Sequence, residues 1–356
     1  TAAERAAMTA PAKQSWKELG RYTLTSASDT IKVGSGTQTG SGTGTGSFAA
    51  KDNIMVLGFL DIAGSSTSTV KMTFNTDDDN GNYAIRRSNN FAADTTLASQ
   101  DGIDVGNVLS LENFFTANIR NITTEEKLIE TDVLKEGAHG SGTAPDTEVA
   151  VSKWANTDAQ IINITLTGTN NFDTGSELIV LGMDDDEDGS SGTNFWQQIH
   201  LFEGAAPPQD TSHGGNEDAG LFTPKKYLMI DIMTTGGNDR FGYGFLANNW
   251  TGGAVNTNTN DWCQRRDRNG SDDTSTGGDY LNLHDTLDNG STGYVRMLVY
   301  NPSNNGKQFI WRSAAVGNDR VVGFGKYMMT NQLDRLGSIY TTGQHSWELL
   351  RIWGSD

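Results

Sequence analysis

The feature that most constrains this fold is that apolar residues come in short alternating runs, separated by turn-forming residues. Residues 70–74 read Val-Lys-Met-Thr-Phe, and this period of two is typical of a half-buried strand. Two further β-rich runs, residues 294–300 and 307–312, flank the turn cluster at 301–306 and predict a hairpin. Glycine occurs 42 times and proline only 6 times, and many glycines in turns between strands are typical of antiparallel sheets. The sequence therefore predicts an all-β protein.

The length of the chain indicates two domains. It has 356 residues, of which 35% are hydrophobic, and this is too long for one ordinary sandwich. About eight strands per half, joined by turns, fit an antiparallel β-sandwich of the jelly-roll type. Only residues 2–13 and 109–118 have a sequence that tolerates a helix.

Six short sequence segments of the first half have similar counterparts, in the same order, in the second half. The matched segments are 15–19 with 195–199, 34–47 with 209–220, 48–57 with 222–231, 83–90 with 262–269, 153–166 with 326–340, and 177–182 with 348–354. We interpret them as an internal duplication of one sandwich unit. The predicted organisation is an N-terminal arm at 1–14, a first domain at 15–183, an acidic linker at 184–194 and a second domain at 195–356.

The net negative charge of the chain argues against two classes of binding partner. The formal net charge is −18, which repels nucleic acid and anionic membranes. No run of 18 apolar residues occurs in the sequence, so membrane insertion is not expected. The single cysteine, Cys263, permits no disulfide within the chain and is predicted to be a buried small apolar residue.

Two acidic loops are candidate metal sites. Asp184, Asp186 and Asp188 alternate before a glycine, as in the first half of a Ca²⁺-binding loop. The closing bidentate glutamate is missing, so a solvated acidic linker is the favoured interpretation and Ca²⁺ the alternative. Asp77 and Asp79 form a second loop of this kind, which more ordinarily makes a polar hairpin turn. The sequence implies no other cofactor.

Two arginine pairs are the main basic feature of this acidic chain: Arg86 with Arg87, and Arg265 with Arg266. Neighbours in a strand point to opposite faces, so one arginine of each pair should turn inward or toward a partner. An arginine–carboxylate bridge, within the fold or across a subunit contact, is the favoured interpretation. A sulfate or an anionic glycan is the alternative ligand.

Tryptophans are concentrated in the second half, where most are expected to pack in the core or at an interface. An exposed indole can stack on a sugar, and the candidates for this role are Trp250, Trp262 and Trp347. Catalysis has little support, because the five histidines show no paired metal-ligand spacing and no Gly-x-Ser-x-Gly nucleophile motif is present. We therefore expect a protein that is not an enzyme.

The arrangement of these features resembles the jelly-roll modules of tailed-phage virion proteins. In the first half it comprises the opening strand at 16–24, the turn at 80–83 before Arg86 and Arg87, and the strand at 161–166 with the turn and closing strand at 171–182. The second half keeps Trp196, the arginine pair and the strand at 348–354, but its last turn, at 342–347, departs from the pattern.

The resemblance implies a bacteriophage structural protein on the virion surface, as a capsid decoration, a fibre or a tail-associated piece. Such a protein assembles with itself, with a trimer favoured, and with other virion proteins. A glycan-binding adhesin or receptor-binding module that takes a host surface glycan is the first alternative. A double jelly-roll shell protein is the second alternative.

Overall fold

The computed structural model describes most of the chain, and its contacts divide the protein into two compact units. The described residues are 16–34, 48–64, 67–108, 111–136, 140–186, 194–203, 217–235, 241–246, 262–268, 270–278, 281–284, 292–315, 320–328, 331–340 and 346–356. The first unit comprises residues 13–138 and 146–195, and the second unit contains residues 196–356.

The described part of the first unit contains twelve strands. They are β1 (Lys17–Thr23), β2 (Ser28–Gly34), β3 (Asn53–Leu60), β4 (Ser68–Phe74), β5 (Tyr83–Asn89), β6 (Thr95–Gln100), β7 (Ile103–Val108), β8 (Asn113–Arg120), β9 (Lys127–Lys135), β10 (Asp146–Trp154), β11 (Asn163–Phe172) and β12 (Glu177–Met183). An eight-stranded sheet has the order β1-β12-β3-β8-β9-β10-β5-β6, and a four-stranded sheet has the order β2-β11-β4-β7.

The residues described in the second unit also form twelve strands. They are β13 (Gln197–Glu203), β14 (Glu217–Leu221), β15 (Tyr227–Thr235), β16 (Phe241–Leu246), β17 (Trp262–Arg268), β18 (Ser271–Gly278), β19 (Leu281–His284), β20 (Thr292–Tyr300), β21 (Lys307–Ala315), β22 (Arg320–Tyr327), β23 (Arg335–Tyr340) and β24 (Ser346–Ser355). The sheets have the orders β13-β24-β15-β20-β21-β22-β17-β18 and β14-β23-β16-β19. Each strand of the second unit therefore occupies the same place in its sheet as the first-unit strand whose number is lower by twelve. Descent of the two units from one duplicated segment remains a prediction.

In each unit the two sheets enclose one apolar core. In the first unit Val70 and Met72 from the small sheet share a buried cluster with Ile54 and Val56 from the large sheet. The alternation at 70–74 produces this result, since every second residue of β4 is buried. All strand pairs are antiparallel. The predicted all-β sandwich architecture is confirmed.

A buried asparagine fixes the same loop in each unit. The Asn121 side chain donates to the carbonyl of Lys51 at 2.8 Å and accepts from the amide of Ile161 at 2.7 Å. In the second unit Asn301 donates to the carbonyl of Lys225 at 2.9 Å and accepts from the amide of Leu333 at 2.8 Å. Both asparagines are fully buried, so these bonds satisfy backbone groups that water does not reach.

Two predictions about secondary structure differ from the structure. Twelve strands, rather than about eight, are present in the described residues of each unit, because strands such as β6 are mostly exposed and lack apolar alternation. The prediction that residues 109–118 tolerate a helix is wrong, since β8 begins at Asn113 and all of its first five residues are buried. Cys263 is buried, as predicted. No helix able to cross a membrane occurs in the described part of the chain.

Candidate binding site

An open groove of about 440 Å³ lies on the outer face of the first unit's large sheet. We use "outer face" for the side of an eight-stranded sheet that points away from the four-stranded sheet of the same unit. Its lining includes the side chains of Trp16, Asn53, Asn118, Arg120, Leu128, Glu130, Val151 and Met183. They reach one surface because β12, β3, β8, β9 and β10 are neighbours in the sheet.

The floor of the groove carries exposed apolar side chains. Leu128 on β9 is 57% exposed and Val151 on β10 is 56% exposed. Trp16 and Met183, which are partly buried, add an indole and a thioether from the opposite side. The backbone carbonyl of Trp16 accepts from the amide of Phe195 at 2.8 Å, which anchors this residue at the start of β1. Grouped apolar residues on a surface mark a contact site more often than isolated ones do.

One end of the groove has a preorganised polar network. Arg120 donates through both terminal nitrogens to the two carboxylate oxygens of Asp185, each at 2.7 Å. Asn53 donates to the same carboxylate at 2.8 Å and accepts from Arg120 at 3.1 Å. The hydrogen bonds from Arg120 and Asn53 hold the pKa of Asp185 at about 2. The carboxylate is therefore ionised at neutral pH, and the fork-like pairing fixes the guanidinium beside the groove.

The predicted sugar-stacking tryptophans do not form this groove. Trp262 is 3% exposed and stacks on Tyr327 with ring centroids 3.9 Å apart. It is a core residue, so its predicted role in stacking on a sugar is wrong. Trp347 lies in β24, but its side chain is outside the described part of the structure, and Trp250 is outside it entirely. The sequence analysis did not identify Trp16 as a candidate binding residue. Its only distinctive feature in the sequence is that it directly precedes the opening strand, and this position does not by itself indicate a binding role.

The arginine pairs alternate between the two faces as predicted and make bridges within the fold. In the first unit Arg86 is exposed and bonds Asp94 at 2.8 Å. Its neighbour Arg87 turns inward, where it pairs with Asp104 on the small sheet and lies 3.4 Å from Glu148. The favoured interpretation of an internal arginine–carboxylate bridge is confirmed for this pair.

The second pair follows the same rule. Arg266 is buried, pairs with Asp273 and donates to the carbonyl of Asn282 at 3.3 Å. Arg265 lies on the outer face, 3.9 Å from Asp272. Contacts of these four arginines with a subunit or an anion remain predictions.

The acidic loops already have protein partners at several carboxylates. Asp184 bonds Lys51 at 2.6 Å, and with Asp185 it is held on the first unit rather than lying free in a linker. Asp77 accepts from the indole of Trp154 at 2.7 Å and from the amide side chain of Asn82 at 2.9 Å.

The described residues include no group of three or more His, Cys, Asp or Glu side chains placed to hold a metal ion. Asp79 and Asp186 are described but belong to no such group, and Asp188 lies outside the described residues. Ca²⁺ at Asp184, Asp186 and Asp188 therefore remains a prediction. At Asp77 the bonds to Trp154 and Asn82 support the favoured interpretation of a polar turn.

Comparisons with known proteins do not place the chain in a family. No family model and no curated protein matches it. Mouse laminin alpha1 chain domains LG4-5 align with 93% of this chain and 88% of that chain at 9% identity, with a TM-score of 0.20. The binding domain of botulinum neurotoxin DC, in complex with rat synaptotagmin II, aligns with 98% of this chain and 91% of that chain at 9% identity, with a TM-score of 0.16. Similarity this weak carries no argument about function, which rests on the residues of the chain itself.

Proposed function

We propose that this chain is a non-enzymatic surface protein that binds a glycan in the groove of its first unit. The observation that carries the proposal is the combination of an open apolar floor with a polar margin on one sheet face. Trp16, Leu128 and Val151 offer a surface on which the apolar side of a sugar ring can pack. Binding sites of this kind are mostly apolar, with a few placed polar groups that fix the orientation of the ligand.

The polar margin supplies the hydrogen-bonding groups that sugar hydroxyls require. Asn118 and Glu130 are cross-strand partners on β8 and β9, and Val151 on β10 pairs with Glu130. An amide that donates and accepts, beside a carboxylate that accepts, matches hydroxyls that do both. At the end of this margin Arg120 is held in place by Asp185, so little side-chain entropy is lost when a ligand binds there.

Glycan binding can be tested on a glycan array, followed by calorimetric titration of any sugar retained. We expect saturable binding by the full chain and a loss of roughly tenfold or more in affinity for the double variant Leu128→Ser/Val151→Ser. Both side chains are more than half exposed, so this variant should fold. Leu221→Ser is the matched control, because Leu221 is 61% exposed and lies on the second unit. Full retention of binding by the double variant, or no glycan bound by the full chain, would contradict the proposal.

The location that we propose is the surface of a phage virion, as the resemblance of the sequence implies. There the chain would assemble with itself and contact other virion proteins, while its groove faces a host surface glycan. Immunogold labelling of purified particles tests the location, and sedimentation of the isolated chain tests the expected trimer. Unlabelled particles that contain no peptide of this chain would remove the virion proposal and leave a cell-surface adhesin.

A further inference from the structure

The arginine at the end of the groove is already engaged within the first unit. Arg120 donates to both carboxylate oxygens of Asp185 at 2.7 Å, and it also donates to the side-chain oxygen of Asn53 at 3.1 Å. An acidic sugar would have to displace Asp185, and the exchange of one carboxylate for another gains little free energy. This pair therefore gives an uncharged ligand no disadvantage against an acidic one.

Two further basic side chains on the same outer face are paired in the same way. Arg86 and Lys153 are the cross-strand partners of the two exposed apolar residues of the floor. Arg86 bonds Asp94 at 2.8 Å, and Lys153 donates to both carboxylate oxygens of Glu126 at 2.9 Å. Neither side chain offers an acidic glycan an unpaired positive charge.

The floor between these ion pairs is aliphatic. Leu128 and Val151 lie diagonally on neighbouring strands, since Leu128 pairs with Lys153 and Val151 pairs with Glu130. Residues in diagonal positions on one face are roughly 7–8 Å apart, and both of these side chains are more than half exposed. Their branched methyl groups offer no partner to a sugar hydroxyl, whereas they suit a compact apolar substituent such as a methyl group.

Hydrogen-bonding groups lie directly beside these methyl groups. Glu130 is the cross-strand partner of both Asn118 and Val151, so an amide, a carboxylate and an isopropyl group form one row across the face. An acetamido group combines an N–H donor, a carbonyl acceptor and a methyl group. The carboxylate can accept from its N–H, the amide can donate to its carbonyl, and the valine can pack on its methyl group. The groove therefore has a complementary group for each part of an acetamido substituent.

The equivalent face of the second unit has no accessible floor at these positions. The strand register places Gln308 where the first unit has Leu128, and Phe324 where it has Val151. Both are buried, with 2% and 0% of their surface exposed. A ligand that needs this floor should therefore bind once per chain, although the two units share a strand order.

We propose that the groove selects an uncharged glycan that carries an acetamido group, as N-acetylhexosamines do. This proposal rests on the glycan-binding function proposed above and adds the class of sugar. The acetamido methyl group packs on Leu128 and Val151, and Glu130 and Asn118 bond its polar atoms. The ion pairs around the floor give an acidic glycan no advantage.

The test is calorimetric titration of the full chain with three disaccharides. They are N,N′-diacetylchitobiose, cellobiose, which has hydroxyls in place of the acetamido groups, and the hyaluronan disaccharide, which has an acetamido group and a carboxylate. We expect diacetylchitobiose to bind at one site per chain and roughly tenfold or more tightly than cellobiose. The hyaluronan disaccharide should bind no more tightly than diacetylchitobiose, at low and at high salt.

The variant Val151→Thr tests whether the floor recognises the methyl group. It keeps the shape of the side chain but replaces a methyl group with a hydroxyl, at an exposed strand position that suits threonine. We expect the affinity for diacetylchitobiose to fall roughly fivefold or more and that for cellobiose to change little. Leu221→Thr is the matched control, because it adds a hydroxyl at a position that is 61% exposed on a strand of the second unit. It should leave both affinities unchanged.

Some outcomes overturn the selectivity but leave the proposed function in place. The inference is wrong if cellobiose binds as tightly as diacetylchitobiose, if the acidic disaccharide binds more tightly than both, or if Val151→Thr leaves the preference unchanged. It is also wrong if the glycan array retains only sugars without an acetamido group. Failure of all three disaccharides and of every sugar on the array to bind would overturn the proposed function together with the inference.

Discussion

The two units have the same strand order but close the space between their sheets with different chemistry. In the first unit Lys135 bonds the buried carboxylate of Glu148 at 2.9 Å, and Arg87 links the same carboxylate to Asp104. In the second unit the register places Val321 where the first has Glu148, and Ser313 beside it bonds the carbonyl of Leu283 at 2.9 Å. The same architecture therefore accepts an ionic network or a mostly apolar contact at this edge.

The large core side chains also differ between the units. In the first unit the Phe115 ring lies where a Cβ on Gly58 would be, 1.8 Å from Cε1. In the second unit the Trp311 ring lies over Gly323, with a Cβ there only 2.1 Å from the indole. Each unit thus has one large ring beside a glycine on the neighbouring strand. The ring lies on β8 in the first unit but on β21, the counterpart of β9, in the second. Only the volume filled between the sheets has to be the same.

The outer faces of the large sheets also differ in their side chains. The first unit has the apolar groove with a polar margin, whereas neighbouring strands of the second unit place Arg351, Asp231, Arg296 and Arg312 side by side. Since outer-face residues alternate with core residues along each strand, their chemistry can change without changing the packing between sheets. This is the physical reason why one architecture can carry two different outer surfaces.

The largest expected effect comes from breaking the ionic network of the first unit. Glu148→Ala leaves Lys135 buried without this partner and should destabilise the first unit by about 3–5 kcal/mol. The double change Lys135→Ala/Glu148→Val imports the residues found at the corresponding positions of the second unit, and should recover most of that loss. Hydrogen exchange resolved by strand measures each unit separately. Equal destabilisation by the single and double changes would show that the network stabilises the unit beyond neutralising its own charges.

An intermediate effect is expected from the glycines beneath the core rings. Gly58→Ala should destabilise the first unit, and Gly323→Ala the second, each by about 1–3 kcal/mol, because the new methyl group meets an aromatic ring. Adding Trp311→Phe to Gly323→Ala should recover part of the loss by giving the methyl group room. Urea unfolding followed by tryptophan fluorescence and strand-resolved hydrogen exchange tests this. If either alanine is tolerated at no cost, the packing described for that unit is incorrect.

The smallest effect concerns the exposed Arg120–Asp185 pair, which has no counterpart in the second unit, where Tyr300 occupies the position of Arg120. The folded-state pKa of Asp185 is about 2, below the unfolded value of about 3.9. Its contribution to stability is therefore present above pH 4 and lost as the pH falls toward 2. Asp185→Asn should lower the melting temperature slightly at pH 6 but not at pH 2, and high salt should shrink the difference. A difference that persists at pH 2 would assign the effect to something other than this charge.

Much of the architecture could be predicted from local patterns. The alternation at 70–74 became β4, and the hairpin at 294–312 became β20 and β21. The inward turn of Arg87 and Arg266 also followed from alternation along a strand. The polar strands β6 and β18 were not predicted, because ladder bonds rather than apolar side chains hold them.

The sequence by itself determined the β class, the two-part organisation and the face toward which many side chains point, because a strand's period of two is local information. Only the tertiary structure decided which strands are neighbours. Leu201 and Arg351 are 150 positions apart in the chain and meet only because β13 pairs with β24. The groove likewise needs Trp16, Val151 and Met183 in one place. Pairing between distant strands depends on the summed packing and hydrogen bonding of the whole sandwich, and no single segment contains that information.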